Sequence, residues 1–273
     1  MDVSHPKLHL YSLPNEVLVQ ILSSFSTRSL IPWARVSYRF HALILRILHY
    51  RLLVGAPLQE YKLILECFHP SSKLIEPHVF CTYLGTDDLN SYEGNATRRL
   101  SSVYSRFRPE VTVEERSNGT RLVPVTDDGQ DPHRDDLVVT RPINLEEFEE
   151  FFQLCVLVNI VKVMPGTNLL LSAHTVEDGV IRVFRDWLRD EEKRFREFIP
   201  EGAGHSQMLW VDQSKSVGIK VRVRGRNDEQ FTSYELDIEE LHIRSVRLLL
   251  TLEKSQEEQQ NYYKAVVLTP NIR

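Results

Sequence analysis

Catalytic chemistry in this chain of 273 residues would have to come from a few residue types, and their spacing supports little of it. Of the ten histidines only His5 and His9 stand at i, i+4, with Pro6 between them, and none shows His-x-His spacing, so no metal site is read from them. Cys67, Cys81 and Cys155 are scattered, with no Cys-x-x-Cys pair. That pattern predicts buried free thiols in a reducing compartment, without a zinc site or disulfide framework. No Gly-x-Ser-x-Gly elbow is present to carry a serine nucleophile. The stretch EGAGHSQ (201–207) has two glycines and a His-Ser pair, but it lacks the lysine and helix of a phosphate loop and reads as a link. Paired acids such as Glu239–Glu240 read as solvated charge. No catalytic residue, metal or cofactor is expected.

Binding is better represented than catalysis. Lys220, Arg222, Arg224 and Arg226 fall on one side of a strand, opposite Ile219, Val221 and Val223. Four cations on one strand face would attract an acidic or phosphorylated segment, and arginine can pair bidentately with carboxylate or phosphate. The competing reading is that they balance nearby carboxylates such as Glu235 and Asp237. Trp187 and Trp210 could form a ligand platform, although tryptophans more often serve the core.

Composition narrows the classes further. The net charge is -5, with 42% hydrophobic and 26% charged residues, which is enough for one large domain or two smaller ones. Nothing is basic enough for nucleic acid to be the main partner. The longest apolar runs, such as CVLVNIV (155–161), fall far short of a bilayer span, so no membrane partner is expected. MDVSHPKLHLYSLP lacks the apolar centre of a signal peptide, and a cytoplasmic or nuclear location is expected.

The elements that must position these residues begin with helices. Val17, Leu18, Ile21, Leu22 and Phe25 form one helical stripe. Pro14 suits a first turn and Glu16 the positive end of the helix dipole. Ser23, Ser24, Ser26 and Thr27 break the helix and offer new caps. Leu30, Ile31, Trp33, Ala34 and Val36 follow, then Phe40, Leu43, Ile44, Ile47 and Leu48. Residues 13–50 therefore read as three short helices. They carry more apolar surface than about 40 residues can hide, so a partner or second domain must cover the rest.

Beyond them, YKLILECF (61–68) and HVFCTYLG (78–85) read as strands, and TDDGQDPHRDD (126–136) as an exposed acidic loop. In residues 143–163, Asn144 and Glu147 suggest a capping box ahead of a helical Phe148, Phe151 and Phe152 face, and a strand follows Cys155. NLLLSAH (168–174) reads as a return strand. Val180, Val183, Phe184, Trp187 and Leu188 predict a helix near 176–198, with a strand at GVIRVF as the rival. MLWV (208–211), VGIKVRVRGR (217–226), SYELDI (233–238) and IRSVRLLLTLE (243–253) read as strands. The fold class expected is α+β: three N-terminal helices, then a mainly antiparallel, sandwich-like domain with one or two helices.

The segment LPNEVLVQILSSFSTRSLIPWARVSYRFHALI resembles the F-box in the ordered set Leu13, Pro14, Glu16, Val17, Ile21, Leu22, Leu30, Val36 and Phe40. Phe40 stands where the motif usually has Trp, and Pro32 falls early in the second predicted helix. The resemblance implies that these nine residues dock on the Skp-type adaptor of an SCF-type ubiquitin ligase and, through it, on a cullin. The F-box would occupy residues 8–53, and residues 58–273 would hold an unknown protein substrate. Residues 1–53 carry six Lys/Arg against Asp2 and Glu16, a net +4 that leaves -9 for the remainder. A basic module could steer toward an acidic partner. The C-terminal strands are faintly similar to the phloem-lectin β-sandwich group, which makes a glycan-binding module the alternative. A hydrolase or transferase is the remaining reading.

Overall fold

The computed structural model describes residues 12–55, 58, 60–72, 78–86, 102–111, 138–164, 169–197, 206–226 and 232–263. The acidic loop expected at 126–136 lies outside them, as does most of 201–207. Three helices come first: α1 (Asn15–Ser23), α2 (Thr27–Trp33) and α3 (Tyr38–Gly55). Then come β1 (Tyr61–Phe68), β2 (Val79–Thr86), β3 (Tyr104–Pro109), β4 (Val139–Leu145), β5 (Phe151–Val163) and β6 (Leu170–Phe184). Helix α4 (Arg185–Glu197) precedes β7 (Gln207–Trp210), β8 (Val217–Arg226) and β9 (Thr232–Arg244), and α5 (Ser245–Tyr263) closes the described chain. The fold is α+β, as expected.

The strands form one antiparallel sheet in the order β6-β5-β1-β2-β3-β9-β8-β7. The first part of β9 pairs with β4 and its last residues pair with β3. The sheet curls so that its two halves share a core. Leu63, Leu154 and Val156 of one half join Ile219, Val221 and Leu236 of the other, with Leu188 of α4 and Leu248 and Leu252 of α5. This is the sandwich-like arrangement, built from a single sheet. Near its open ends, a Cβ on Gly179 of β6 would lie 2.6 Å from Val211, just after β7, so only glycine allows that approach.

A second cluster belongs to the helices. Leu18, Leu22, Leu30, Phe40, Leu43, Ile44, Ile47, Leu48 and Leu52 pack together, and Val103 and Leu249 of the strand-rich part join them. α5 thus presents Leu248 and Leu252 to one core and Leu249 to the other.

Three expected elements differ from those observed. No helix forms over 143–155. Instead β5 buries Phe152, Leu154, Val156, Val158 and Ile160 at every second position and pairs along both edges, with β1 and β6. Glu146 and Glu149 make a single turn before it, and Phe148 is left exposed. The helix placed near 176–198 begins only at Arg185. Up to Phe184 the chain is strand, because β-branched Val180, Ile181 and Val183 pair with Cys155, Leu154 and Phe152. The apolar run at 243–253 leaves its strand at Arg244 and becomes α5, whose buried Leu248, Leu249, Leu252 and Ser255 follow helical spacing. Pro32 lies late in α2, not early, and removes one amide from its last turn.

All three cysteines are free thiols. Only Cys67 is fully buried, while Cys81 and Cys155 are half-buried, so the expectation of buried thiols holds for Cys67 alone.

Candidate functional site

The helical unit divides its apolar residues between two sides. In α1, Leu18 and Leu22 are 1% and 2% exposed and point at α3. One position round the helix, Val17 and Ile21 stand 37% and 42% exposed, and Phe25 just past the helix stands at 37%. α2 repeats the division: Leu30 is fully buried, but Ile31 and Trp33 are 41% and 37% exposed. Phe25 and Trp33 meet edge-to-face with centroids 4.8 Å apart, which joins the outer residues of α1 to Trp33 of α2. Pro14 and Val36 are exposed as well. Large apolar side chains are thus exposed on a unit whose own core is already complete beneath them.

Polar contacts hold the face in shape. Arg39 of α3 donates to the Asn15 side chain at 2.8 Å and to the Leu13 carbonyl, which fixes the chain entering α1. The Ser37 hydroxyl accepts the Phe40 amide at 3.2 Å and caps α3. The His41 Nδ1 lies 3.1 Å from the Ala34 carbonyl at the end of α2. At the start of α2 the cap comes from the other end of the chain. Glu253 of α5 accepts the Thr27 amide and hydroxyl, both at 2.7 Å. Arg51 of α3 reaches Glu253 at 3.0 Å, Thr27 at 2.9 Å and the Phe25 carbonyl at 2.6 Å.

The nine residues named from the motif are therefore split. Pro14, Glu16, Val17, Ile21 and Val36 are exposed, Leu13 is half-buried against the helical core, and Leu22, Leu30 and Phe40 lie within it. Phe25 and Trp33 belong to the outer face without having been named for it, and Ile31 is exposed elsewhere on α2. The step of four from Val17 through Ile21 to Phe25 was the available signal.

The residues named in the strand-rich part are dispersed. Lys220 lies 3.4 Å from Glu240 and 3.9 Å from Glu239. Arg222 pairs with Glu239 and has its guanidinium 5.6 Å from the Phe195 ring of α4. Arg224 makes two bonds to Asp237, at 2.6 and 2.7 Å, and lies 3.2 Å from Glu235. The hydrogen bonds it donates to Asp237 hold Arg224 more firmly charged, against the opposing effect of burial. Arg226 ends β8. Trp187 is half-buried against the sheet core from α4. Trp210 sits on β7, 5.5 Å from the Tyr104 ring and 5.8 Å from the Lys215 ammonium.

Among the described residues, no group of three His, Cys, Asp or Glu side chains could hold a metal. No helix among them is long and apolar enough to cross a membrane.

The F-box-like family model matches residues 10–54. The match spans α1, α2 and α3, the helices that carry the outer face. No curated protein matches the chain, and no solved structure does.

Proposed function

We propose that the chain is a substrate receptor of an SCF-type ubiquitin ligase. The F-box-like region docks on the Skp-type adaptor and thereby on the cullin, and the strand-rich body holds the protein to be modified. The observation that carries this reading is the exposure of the apolar side chains Pro14, Val17, Ile21, Phe25, Ile31, Trp33 and Val36 within the matched region. These side chains have no core left to join, because Leu18, Leu22 and Leu30 already fill the space against α3. Docking would remove them from water, a gain of roughly 25 cal/mol for each Å² of apolar surface covered.

The body is held to the docking unit by Glu253, Thr27 and Arg51, and Leu249 is common to both. Such a junction would set the direction in which bound substrate is presented. The basic strand contributes less to substrate attraction than its charge suggests, since Lys220, Arg222 and Arg224 each face carboxylates of β9.

The test is co-purification of the full chain with a Skp-type adaptor, against a variant carrying Val17→Ser, Ile21→Ser and Trp33→Ser. The variant should keep the wild-type melting profile and lose the adaptor. Unchanged adaptor capture by a folded variant would overturn the reading.

A further inference from the structure

The sheet ends at β6, a strand of 15 residues whose only ladder partner among the described strands is β5. Among the described residues no other strand bonds to its far edge; the Val176 carbonyl accepts from Arg247 at 3.0 Å, and Val211 meets Gly179 from the core side. Open edges are normally blunted by charge, proline, bulges or a covering element; β6 contains no lysine or proline, and its charges are Glu177, Asp178 and Arg182. A bulge at Val176 and the start of α4 at Arg185 bound a regular run, 177–184, within it. Along that run Asp178, Val180, Arg182 and Phe184 all lie on the outer side of the sheet and are exposed. The Arg182 guanidinium is poised there, 5.3 Å from the Phe151 ring.

We propose that β6 is a dimerisation edge, on which a second copy of this chain pairs antiparallel about a twofold axis at Val180. In an isologous antiparallel pair, each residue before the axis faces the one equally far after it. With the axis at Val180, Val180 meets its own copy, Asp178 faces the second copy's Arg182, and Arg182 faces its Asp178. Two opposite-charge pairs then flank an apolar centre, which is the stabilising pattern for cross-strand neighbours. Moving the axis by one residue breaks this. At Gly179, Asp178 faces Val180 and Arg182 faces Val176; at Ile181, Arg182 faces Val180 and Asp178 faces Phe184. The strand's own charge pattern thus selects both the partner and the register.

The experiment is analytical ultracentrifugation of the full chain over a range of concentrations. Wild type should dimerise reversibly. Asp178→Arg alone places two like-charged arginine pairs across the axis, and Arg182→Asp alone places two aspartate pairs. Each should weaken dimerisation by about tenfold or more while keeping the melting temperature. A 1:1 mixture of the two variants should associate again, because one copy then presents two arginines to the other copy's two aspartates. A wild type that stays monomeric, including one that binds an unrelated extended peptide instead, overturns the proposal. So does a dimer insensitive to both reversals, or a mixture that associates no better than its components.

Discussion

Glu253 on α5 caps helix α2 by accepting the Thr27 amide at 2.7 Å, across 226 residues of sequence. α2 has no side-chain cap of its own from Ser26, and Thr27 is fully buried, so the carboxylate supplies what the local sequence does not. Its charge also lies at the positive end of the helix dipole. The consequence is that α2 and α3 are tied to α5, the last described helix, by an ion pair and a shared hydroxyl.

Replacing Glu253 with Ala should therefore destabilise the chain by about 1–3 kcal/mol, measured by chemical denaturation. Arg51→Ala should cost a comparable amount, and the double variant less than the sum. A coupling near zero in the double-mutant cycle would mean that the pair is held passively by surrounding apolar contacts.

The two sides of α1 give a second prediction. Leu22→Ala removes a side chain that is 2% exposed and should cost about 2–4 kcal/mol of stability. Ile21→Ala, its chain neighbour, should change stability by about 0.5 kcal/mol or less. In adaptor binding the order should reverse for the folded protein, with Ile21→Ala the more damaging. Paired melting curves and binding isotherms decide it.

This division explains what the sequence made legible. Steps of three and four through Val17, Leu18, Ile21 and Leu22, with the Ser/Thr break after them, announce the helices. They do not say which half of a two-sided helix is covered, because the packing of α3 decides that. The strand-rich part failed where two periods coexist. Phe148, Phe151 and Phe152 fit a helix, while Phe152, Leu154 and Val156 fit a strand, and pairing with β1 and β6 favours the strand. In α5 the run Leu248, Leu249, Leu250 masks the helical spacing of Leu248, Leu252 and Ser255. The cap from Glu253 could not be read locally at all.

Acid sensitivity is the third prediction. Burial pushes the Glu240 carboxyl up, but Lys220 and His242 beside it more than offset this and hold it below its usual 4.5. Burial pulls His242 below its usual 6.5 despite the Glu240 carboxylate at 3.0 Å, with Arg106 and Lys220 acting in the same direction as burial. Both groups resist protonation in the folded state. The His242 contribution is present above about pH 6.5 and is lost as pH falls through its lowered value; the Glu240 contribution follows below about 4.5. Melting temperature should fall between pH 7 and pH 4. His242→Gln should flatten the upper part of that decline, and an unchanged pH profile would remove His242 from the account.

Asp212, in the turn between β7 and β8, gives the fourth. Its Oδ1 accepts the Ser216 amide at 2.7 Å and the Val217 amide at 3.2 Å, and Ser214 donates to Oδ2. Burial opposes ionisation, but these bonds outweigh it and hold the carboxyl below its usual 3.8. Asp212→Ala leaves the Ser216 and Val217 amides without that acceptor and should cost about 1–2 kcal/mol. Asp212→Asn retains an acceptor and should cost less. Equal losses would point to side-chain packing rather than hydrogen bonding.

The basic strand yields the last prediction, and here the geometry changes what reversal should do. On sequence alone, Arg222→Glu with Arg224→Glu would leave the fold intact and remove captured partners. But Arg224 faces Asp237, which is only 7% exposed, through two short bonds, and Arg222 faces Glu239. Reversal would set acid against acid beside a carboxylate that water reaches poorly, so no solvation offsets the repulsion. The double reversal should destabilise the folded chain by about 2–4 kcal/mol, and most of that loss should come from Arg224. Arg224→Glu with Asp237→Arg should recover part of it, because the cross-strand pair re-forms in the opposite sense. Stability within about 0.5 kcal/mol of wild type after Arg224→Glu alone would show that the pair is solvated and mobile. In that case the strand face would be free to receive an acidic segment, and loss of captured partners in that same variant could be read as lost recognition rather than lost fold.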